Sequence, residues 1–321
     1  MTRAWLLIAL GCALPAAAAA QAYPSKTITI IVPAPPGGVT DVLARTLTQR
    51  FTAAWGQQAI VENRPGGNNQ VAAEFVTRAP SDGHTLLIGP EVTFIANPAL
   101  YGRLNYDPIN GFTAIVGLVI INHALITHPS LPVANVRELI ALAKQKPGEL
   151  NYGTYGAGST AHLNMELFQA ITGTKLTAVH YRGAAPAMTD VIGGHIQLMY
   201  VSVGTAAPQV QDGKVKLIAI GSKRRMEAFP NVPTVAESGL PGYEAVSWFG
   251  LFGPPGMPAE TVRKINAEVR SLFADPEIKK SVLDHYYFES LAGTPEELAG
   301  RIKADEPKWR KIIQDAKIKA Q

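Results

Sequence analysis

Cysteine is almost missing from this chain: Cys12 is the only one in 321 residues. Past that point no disulfide and no thiolate metal site can form, which suits a compartment where stray thiols would be oxidised or mispaired. Long apolar runs are scarce as well. A bilayer span wants ~20 predominantly apolar residues, and no segment after the N-terminal run is that long and uncharged. Charge of one sign is not concentrated either: the formal net charge is +4, with Lys and Arg spread along the chain, too mild a surplus for a nucleic-acid surface. The cluster Lys223-Arg224-Arg225 reads as a solvated loop. The seven histidines show no H-E-x-x-H or comparable spacing, so no metal site is expected. The Walker lysine, the G-x-G-x-x-G fingerprint and the G-x-S-x-G elbow are also lacking, and no cofactor is implied.

The first twenty residues have the layout of a secretory signal. Arg3 supplies the positive start, Trp5 to Leu14 a short apolar run, and Ala16 to Ala20 the small residues of an A-x-A site. Cleavage is expected after Ala20, leaving Gln21 as the mature terminus of a periplasmic protein. Cys12 then merely fills the apolar run. Ala9-Leu10-Gly11-Cys12 resembles a lipidation box, but Ala9 stands where Leu is preferred. Without Arg3, 28 basic residues face 25 acidic ones. Roughly 300 residues remain, enough for two domains with substantial cores.

Along the mature chain, short β-rich runs alternate with amphipathic helical stretches, the signature of an α/β architecture with largely parallel sheets. Thr27 to Val32, Thr85 to Ile88, Ala114 to Val119, Ala124 to Thr127, Thr177 to His180, Leu198 to Val201 and Leu217 to Ile220 read as strands. Val39, Leu43, Leu47 and Phe51 recur every four residues and mark one buried helix face, as do Leu163 and Leu167. The C-terminal third reads mostly as helix.

Three glycine-bearing turns carry the candidate chemistry. In Val32-Pro33-Ala34-Pro35-Pro36-Gly37-Gly38-Val39-Thr40-Asp41 an apolar strand breaks at prolines, crosses two glycines and enters a helix. Glycine lets backbone N–H groups approach a ligand, and a helix start adds unpaired donors and a dipole favourable to negative charge. A carboxylate cradle is one reading of Pro36, Gly37 and Gly38, and an ordinary strand-to-helix turn is the other. A second such turn runs from Asn151 through Gly153, Gly156 and Gly158 to Ser159, Thr160 and His162. The two hydroxyls can cap the helix or donate to a ligand, and His162 can equally be a packed helix residue. In the third, His180-Tyr181-Arg182-Gly183 leads into a short helix with Pro186 in its first turn and Gly193-Gly194 at its end. Asp190 on that helix faces either the cleft or solvent, and Arg182 reads as a surface charge. If the first two turns sit in separate lobes, both can point donors into one cleft and hold a two-ended acid.

The segments VPAPPGGVTDVLAR, VENRPGG, PSDGHTLLIG, NPALYGRLNYDP, NYGTYGAGSTAHL, HYRGAAPAMTDVIGGHI, FPNVPTVAESGLPGYE, SWFGLFGPPGMP and TPEELAGRIKADEPKW occur in this order. Together they resemble the tripartite tricarboxylate transporter receptor family, the Bug proteins, over essentially the whole mature chain. The resemblance implies a two-lobed, type II Venus-flytrap fold with two crossover segments. One lobe would hold residues 24–123 and 249–321, the other 124–248. It also implies a non-enzymatic, monomeric receptor that binds a small mono- or dicarboxylic acid in the interlobe cleft and delivers it to inner-membrane transporter subunits. Pro36, Gly37, Gly38, Asp41 and Thr93 would contribute from one lobe. Gly158, Ser159, Thr160, His162, Tyr181, Gly183 and Asp190 would contribute from the other.

Three positions depart from the family pattern. Ala34 stands where an aromatic residue usually lines the site, which widens the pocket. Asn68 and Asn69 replace glycines after Gly66-Gly67, a turn that Asn can keep because it tolerates left-handed conformations. Glu91 and Phe94 occupy a loop usually filled by small, hydroxyl-bearing or histidine residues. Glu91 reads as a solvent-facing carboxylate, with contact to a ligand amino group, and hence an amino-acid receptor, as the alternative. Two rival functions remain: a periplasmic sensor with a signalling partner, and an ester hydrolase using Ser159 and His162.

Overall fold

The computed structural model describes residues 23–318. The expected signal, its cleavage point and Cys12 lie outside the described residues. Ten strands are arranged in one curled sheet, in the order β2-β1-β3-β9-β4-β7-β5-β6, with β8 and β10 also paired to β4. They are β1 (Ile28–Val32), β2 (Ala59–Asn63), β3 (Thr85–Pro90), β4 (Thr113–Thr127), β5 (Asn151–Thr154), β6 (Thr177–His180), β7 (Leu198–Ser202), β8 (Lys216–Ile220), β9 (Val246–Gly253) and β10 (Phe288–Ser290). The helices are α1 (Val39–Trp55), α2 (Gln70–Thr77), α3 (Glu91–Ile95), α4 (Asn97–Leu100), α5 (Val136–Gln145), α6 (Thr160–Thr172), α7 (Ala184–Ile192), α8 (Val203–Gln211), α9 (Ala259–Ala274), α10 (Pro276–Ile278) and α11 (Pro295–Asp315). A π-helical turn, Lys279–Asp284, follows α10.

The division into lobes is made by β4. Thr113–Asn122 pair with β9 in the first half-sheet. His123–Thr127 pair with β7, and Ala124–Thr127 with β8, in the second. The chain returns where Ala245 N donates to Gly221 O at 2.8 Å and Val246 pairs with Asn122. Ala114–Val119 and Ala124–Thr127, expected as two strands, are thus halves of a single 15-residue strand, because Ile120 to Asn122 stay paired with β9 and His123 with β7 across the gap. The expectation of largely parallel sheets is corrected too. The β1, β2, β3 and β5, β6, β7 groups are parallel, but β4 runs antiparallel to each of its partners. The returning strand β9 lies between β3 and β4 and runs against both, so β4 keeps the direction of β3 without pairing with it.

Inner strands such as β1 are apolar on both faces because helices cover both. Leu43, Leu47 and Phe51 of α1 are fully buried against the first half-sheet, together with Ile265 and Val269 of α9. Leu163 and Leu167 of α6 are buried on the second half-sheet, in a core that continues into Phe94, Trp248 and Phe252. Helix α11 closes the structure. A Thr294/Glu297 capping box starts it, and its buried Leu298, Ile302, Trp309 and Ile313 pack in the same core. The helix touches both α3 and α6, while Trp248 Nε1 donates to its Asp305 at 2.9 Å. Among the described residues no helix is long and apolar enough to cross a membrane.

Phe94, read above as part of a loop, is instead a fully buried residue of α3. Its ring lies 4.2 Å from that of Phe252, 5.3 Å from Phe112 and 6.1 Å from Trp248 between centroids. Phe94→Ala opens a cavity at this aromatic junction and should cost about 3–5 kcal/mol of stability. Urea denaturation checks this: a midpoint shift worth under about 1 kcal/mol contradicts the packing account.

Candidate functional site

In open α/β sheets, ligands sit outside the carboxyl ends of strands, at the crevice where the topology reverses. Here β1 and β3 of one half-sheet, and β5, β6 and β7 of the other, each end in a turn that starts a helix. The half-sheets meet at these turns. Thr160 Oγ1, on the first residue of α6, donates to Glu91 Oε1 on the first residue of α3 at 2.8 Å. A Cβ built on Gly158 would sit 2.6 Å from Leu100 Cδ1 of α4, so glycine lets the two surfaces come this close.

Pro36, Gly37 and Gly38 form the exposed turn between β1 and α1. Gly37 has φ +92°, a conformation that favours glycine, and a Cβ at Gly37 or Gly38 would meet nothing within 4 Å. Gly38 is the N-cap of the 17-residue α1 and supplies no side-chain cap, so the positive end of that helix faces open space. Asp41 does not point outward. Its carboxylate is buried and accepts from Gly37 N at 3.1 Å, Arg45 Nε at 2.8 Å and Asn63 Nδ2 at 3.4 Å. The Arg45 bond, helped by Gly37 and Asn63, holds the Asp41 carboxyl below the usual range despite its burial. Asp41 is therefore a brace that fixes the turn.

The second lobe repeats this economy. Ser159 is the N-cap of α6 and accepts from His162 N. The His162 ring turns back instead of outward: its Nδ1 accepts from Gly158 N at 3.0 Å and its Nε2 lies 3.7 Å from Glu166 Oε1. Burial, with His180 adding to it, pushes its pKa down to about 4, so the imidazole is neutral. An imidazole committed in this way is not placed to activate the Ser159 hydroxyl. Tyr181 donates to Asp190 Oδ2 at 2.6 Å, so these two expected ligand contacts are joined to each other. Gly183, with φ +125°, caps α7 without a side-chain hydrogen bond, and a Cβ there would meet nothing within 4 Å. Arg182 is exposed. Thr93 is fully buried in α3; its carbonyl accepts from Tyr106 at 2.8 Å, and its hydroxyl has no partner among the described residues.

Glu91 corrects the sequence reading. It is only 5% exposed, not solvent-facing, because the other lobe and the returning strand cover it. Besides Thr160, the groups acting on its carboxyl are the Ser247 hydroxyl and the backbone N–H groups of Glu91 and Trp248; none is a cation. Ser247 Oγ in turn lies 2.6 Å from Nε2 of buried His123 on β4. Burial pushes His123 down to about 4, so it is neutral. With its proton on Nε2, His123 donates to Ser247, which joins the two crossing strands beside α3. Desolvation outweighs these bonds and raises Glu91 to about 7. Tyr155, whose hydroxyl donates to Tyr200 O at 3.1 Å, is pushed up by burial and by Glu91. The sequence did carry one signal for this site. Glu91 follows Gly89-Pro90 directly at the end of an apolar strand, where a charge would be exposed only if nothing packed above it.

Asn68 and Asn69 do adopt left-handed conformations, φ 50° and 74°. Asn68 also exchanges hydrogen bonds of 2.8 Å with Asn97, anchoring the turn to α4.

Residues 43–318 match the model of the tripartite tricarboxylate transporter family receptor. The chain belongs to this family. A protein encoded in the tcbD-tcbE intergenic region of Pseudomonas sp. (strain P51) is 32% identical over 94% of this chain and 89% of its own length. Protein BugT of Bordetella pertussis is 30% identical over 94% and 93%. Among solved structures, R. palustris Rpa4515 with adipate superposes with a TM-score of 0.83 at 33% identity, covering 93% of this chain and 100% of that one. MatC of Rhodopseudomonas palustris with bound malate gives 0.78 at 30% identity, covering 91% and 100%. The receptors of this family are periplasmic, bind small carboxylates, work with a transporter and are not enzymes.

Glu91 gives the receptor a pH signature. Its folded pKa of about 7 lies above the ordinary 4.5, so the native state holds the proton longer than the unfolded chain. The cost of ionising it is absent below about pH 4.5, grows through the window and is complete above 7, where it reaches about 3 kcal/mol. Glu91→Gln removes that cost and keeps an acceptor for Thr160. The variant should be more stable than the parent by up to about 3 kcal/mol at pH 8, and by under about 1 kcal/mol at pH 5. His123 and His162 destabilise both proteins equally as pH falls from 6.5 through 4, so the difference between the two melting curves isolates Glu91. A difference independent of pH contradicts this assignment.

Proposed function

We propose that this receptor captures a small organic acid between its lobes and delivers it to the membrane subunits of a tripartite tricarboxylate transporter. The observation that carries the reading is the pair of helix starts, α1 at Gly38 and α7 at Gly183. They belong to opposite half-sheets, and each opens on a glycine with free space and no side-chain cap. Each offers backbone donors and a positive dipole end, which is what a carboxylate requires. The adipate and malate in the two structural neighbours are acids of this kind.

We take the lobes as residues 24–123 with 249–321, and 124–248, hinged where β4 changes partners. Ligand bridging the turns favours the closed arrangement because closure adds contacts that the open state lacks. Side chains such as Asp41, Tyr181 and Asp190 fix the turns and leave the backbone to bind. At these two turns such a cradle adds no charge of its own to be stranded when the ligand leaves. The mature protein starts at Gln21 after cleavage behind Ala20, acts in the periplasm and works as a monomer that diffuses to its transporter.

A thermal-shift screen of residues 21–321 tests the proposal. A ligand at 100 times its Kd adds ~2.7 kcal/mol of stability. Upward shifts confined to carboxylates are the expected result. Shifts with sugars or metal ions, and with no carboxylate, would refute it.

A further inference from the structure

Glu91 lies at the junction of the lobes, and no cation accompanies it there. Its carboxylate takes the hydroxyl of Thr160, the first residue of α6, across the interface at 2.8 Å. That end of α6 therefore already faces a carboxylate supplied by the protein. A ligand carboxylate arriving at the same place would lie next to a buried like charge, an arrangement that forces one of the two to take up a proton. An ammonium group arriving there would instead give Glu91 its missing counter-charge and form charge-assisted hydrogen bonds.

A second buried polar group on the same helix is also unmatched. Asn164 is four residues on from Thr160 and so shares its face of α6. It is fully buried, and neither Oδ1 nor Nδ2 has a partner among the described residues. A buried amide left unmatched opposes folding. The start of α1 has open space at Gly37 and Gly38 for the ligand's own carboxylate, Gly37 N itself being held by Asp41.

We propose that Glu91 sets the ligand class, so that this receptor selects acids carrying one carboxylate and one ammonium group over dicarboxylates of the same length. The inference rests on the carboxylate capture proposed above and narrows it. Glu91 acts at the α6 end of the cleft as a selector, repelling a second carboxylate and pairing with an ammonium. Thr160 holds its carboxyl in place, and neutral His123, bonded to Ser247, adds no positive charge to weaken the selection.

Titration calorimetry at pH 8 tests this with adipate, 6-aminohexanoate and hexanoate, and with the four- and five-carbon counterparts of each. The parent protein should bind an amino acid of one of these lengths at least tenfold more tightly than the matching dicarboxylate. Glu91→Gln should shrink that ratio at least tenfold while changing the plain monocarboxylate less. If the parent binds dicarboxylates as tightly as the amino acids, or if Glu91→Gln leaves the ratio unchanged, the selector role is wrong and carboxylate capture stands. If no acid binds either protein, carboxylate capture fails and the inference falls with it. The ranking in the parent needs no variant, so misfolding of Glu91→Gln does not shield the proposal.

Discussion

Strand β4 is hydrogen-bonded to β9 along Thr113–Asn122 and to β7 and β8 along His123–Thr127, and the whole cleft is positioned by that division. A backbone shared by two half-sheets can bend at the change of partners but cannot slip alone, since a one-residue slip would break its pairing with β7, β8 and β9 at once and move every side chain to the other face. The strand ends of each half-sheet are thereby held facing one another. The turns that follow β1, β3, β5 and β6 gain a fixed relation without any loop having to be rigid by itself. Helix α11 adds a second tie, because its apolar face packs in the core that continues from α3 to α6.

Within that frame the division of labour is between side chains that shape turns and backbone that is left free. Asp41 holds Gly37 N, His162 holds Gly158 N, and Tyr181 holds Asp190. Each of these groups would be a reasonable ligand contact if seen in the sequence alone. Each is satisfied internally, which removes conformational freedom from these turns. Glu91 breaks the pattern. It is a buried acid held by hydroxyl and backbone donors alone, and its ionisation opposes folding. Retaining such a group at the lobe junction is costly unless a ligand makes use of it, which is why the specificity of the cleft is assigned to it.

Much of this was legible in the sequence. The glycine turns before Val39 and Thr160 could be read from their spacing, as could the buried faces of α1 and α6, because local periodicity decides those elements. The family was legible from ordered motifs. What sequence reasoning missed depends on contacts distant along the chain. The fusion of two expected strands into β4 follows from pairing with β9, more than a hundred residues later. Phe94 is a core residue because Phe252 and Trp248 come to meet it. Glu91 is buried by Thr160 and Ser247, and nothing within ten residues of it announces either. The inward turn of His162 lay between these cases: its i to i−4 bond to Gly158 N is local, but a glycine-rich start does not reveal which way an imidazole will fold.

The central claim is that one ligand bridges the glycine turns of both lobes. Backbone amide shifts of the isotopically labelled receptor, titrated with its tightest-binding carboxylate, test this directly. Saturable changes at Gly37 and Gly38 together with changes at Gly156 or Gly183, all with one dissociation constant, are the predicted result. Changes restricted to one lobe, or found only at sites remote from these glycines, would contradict the account.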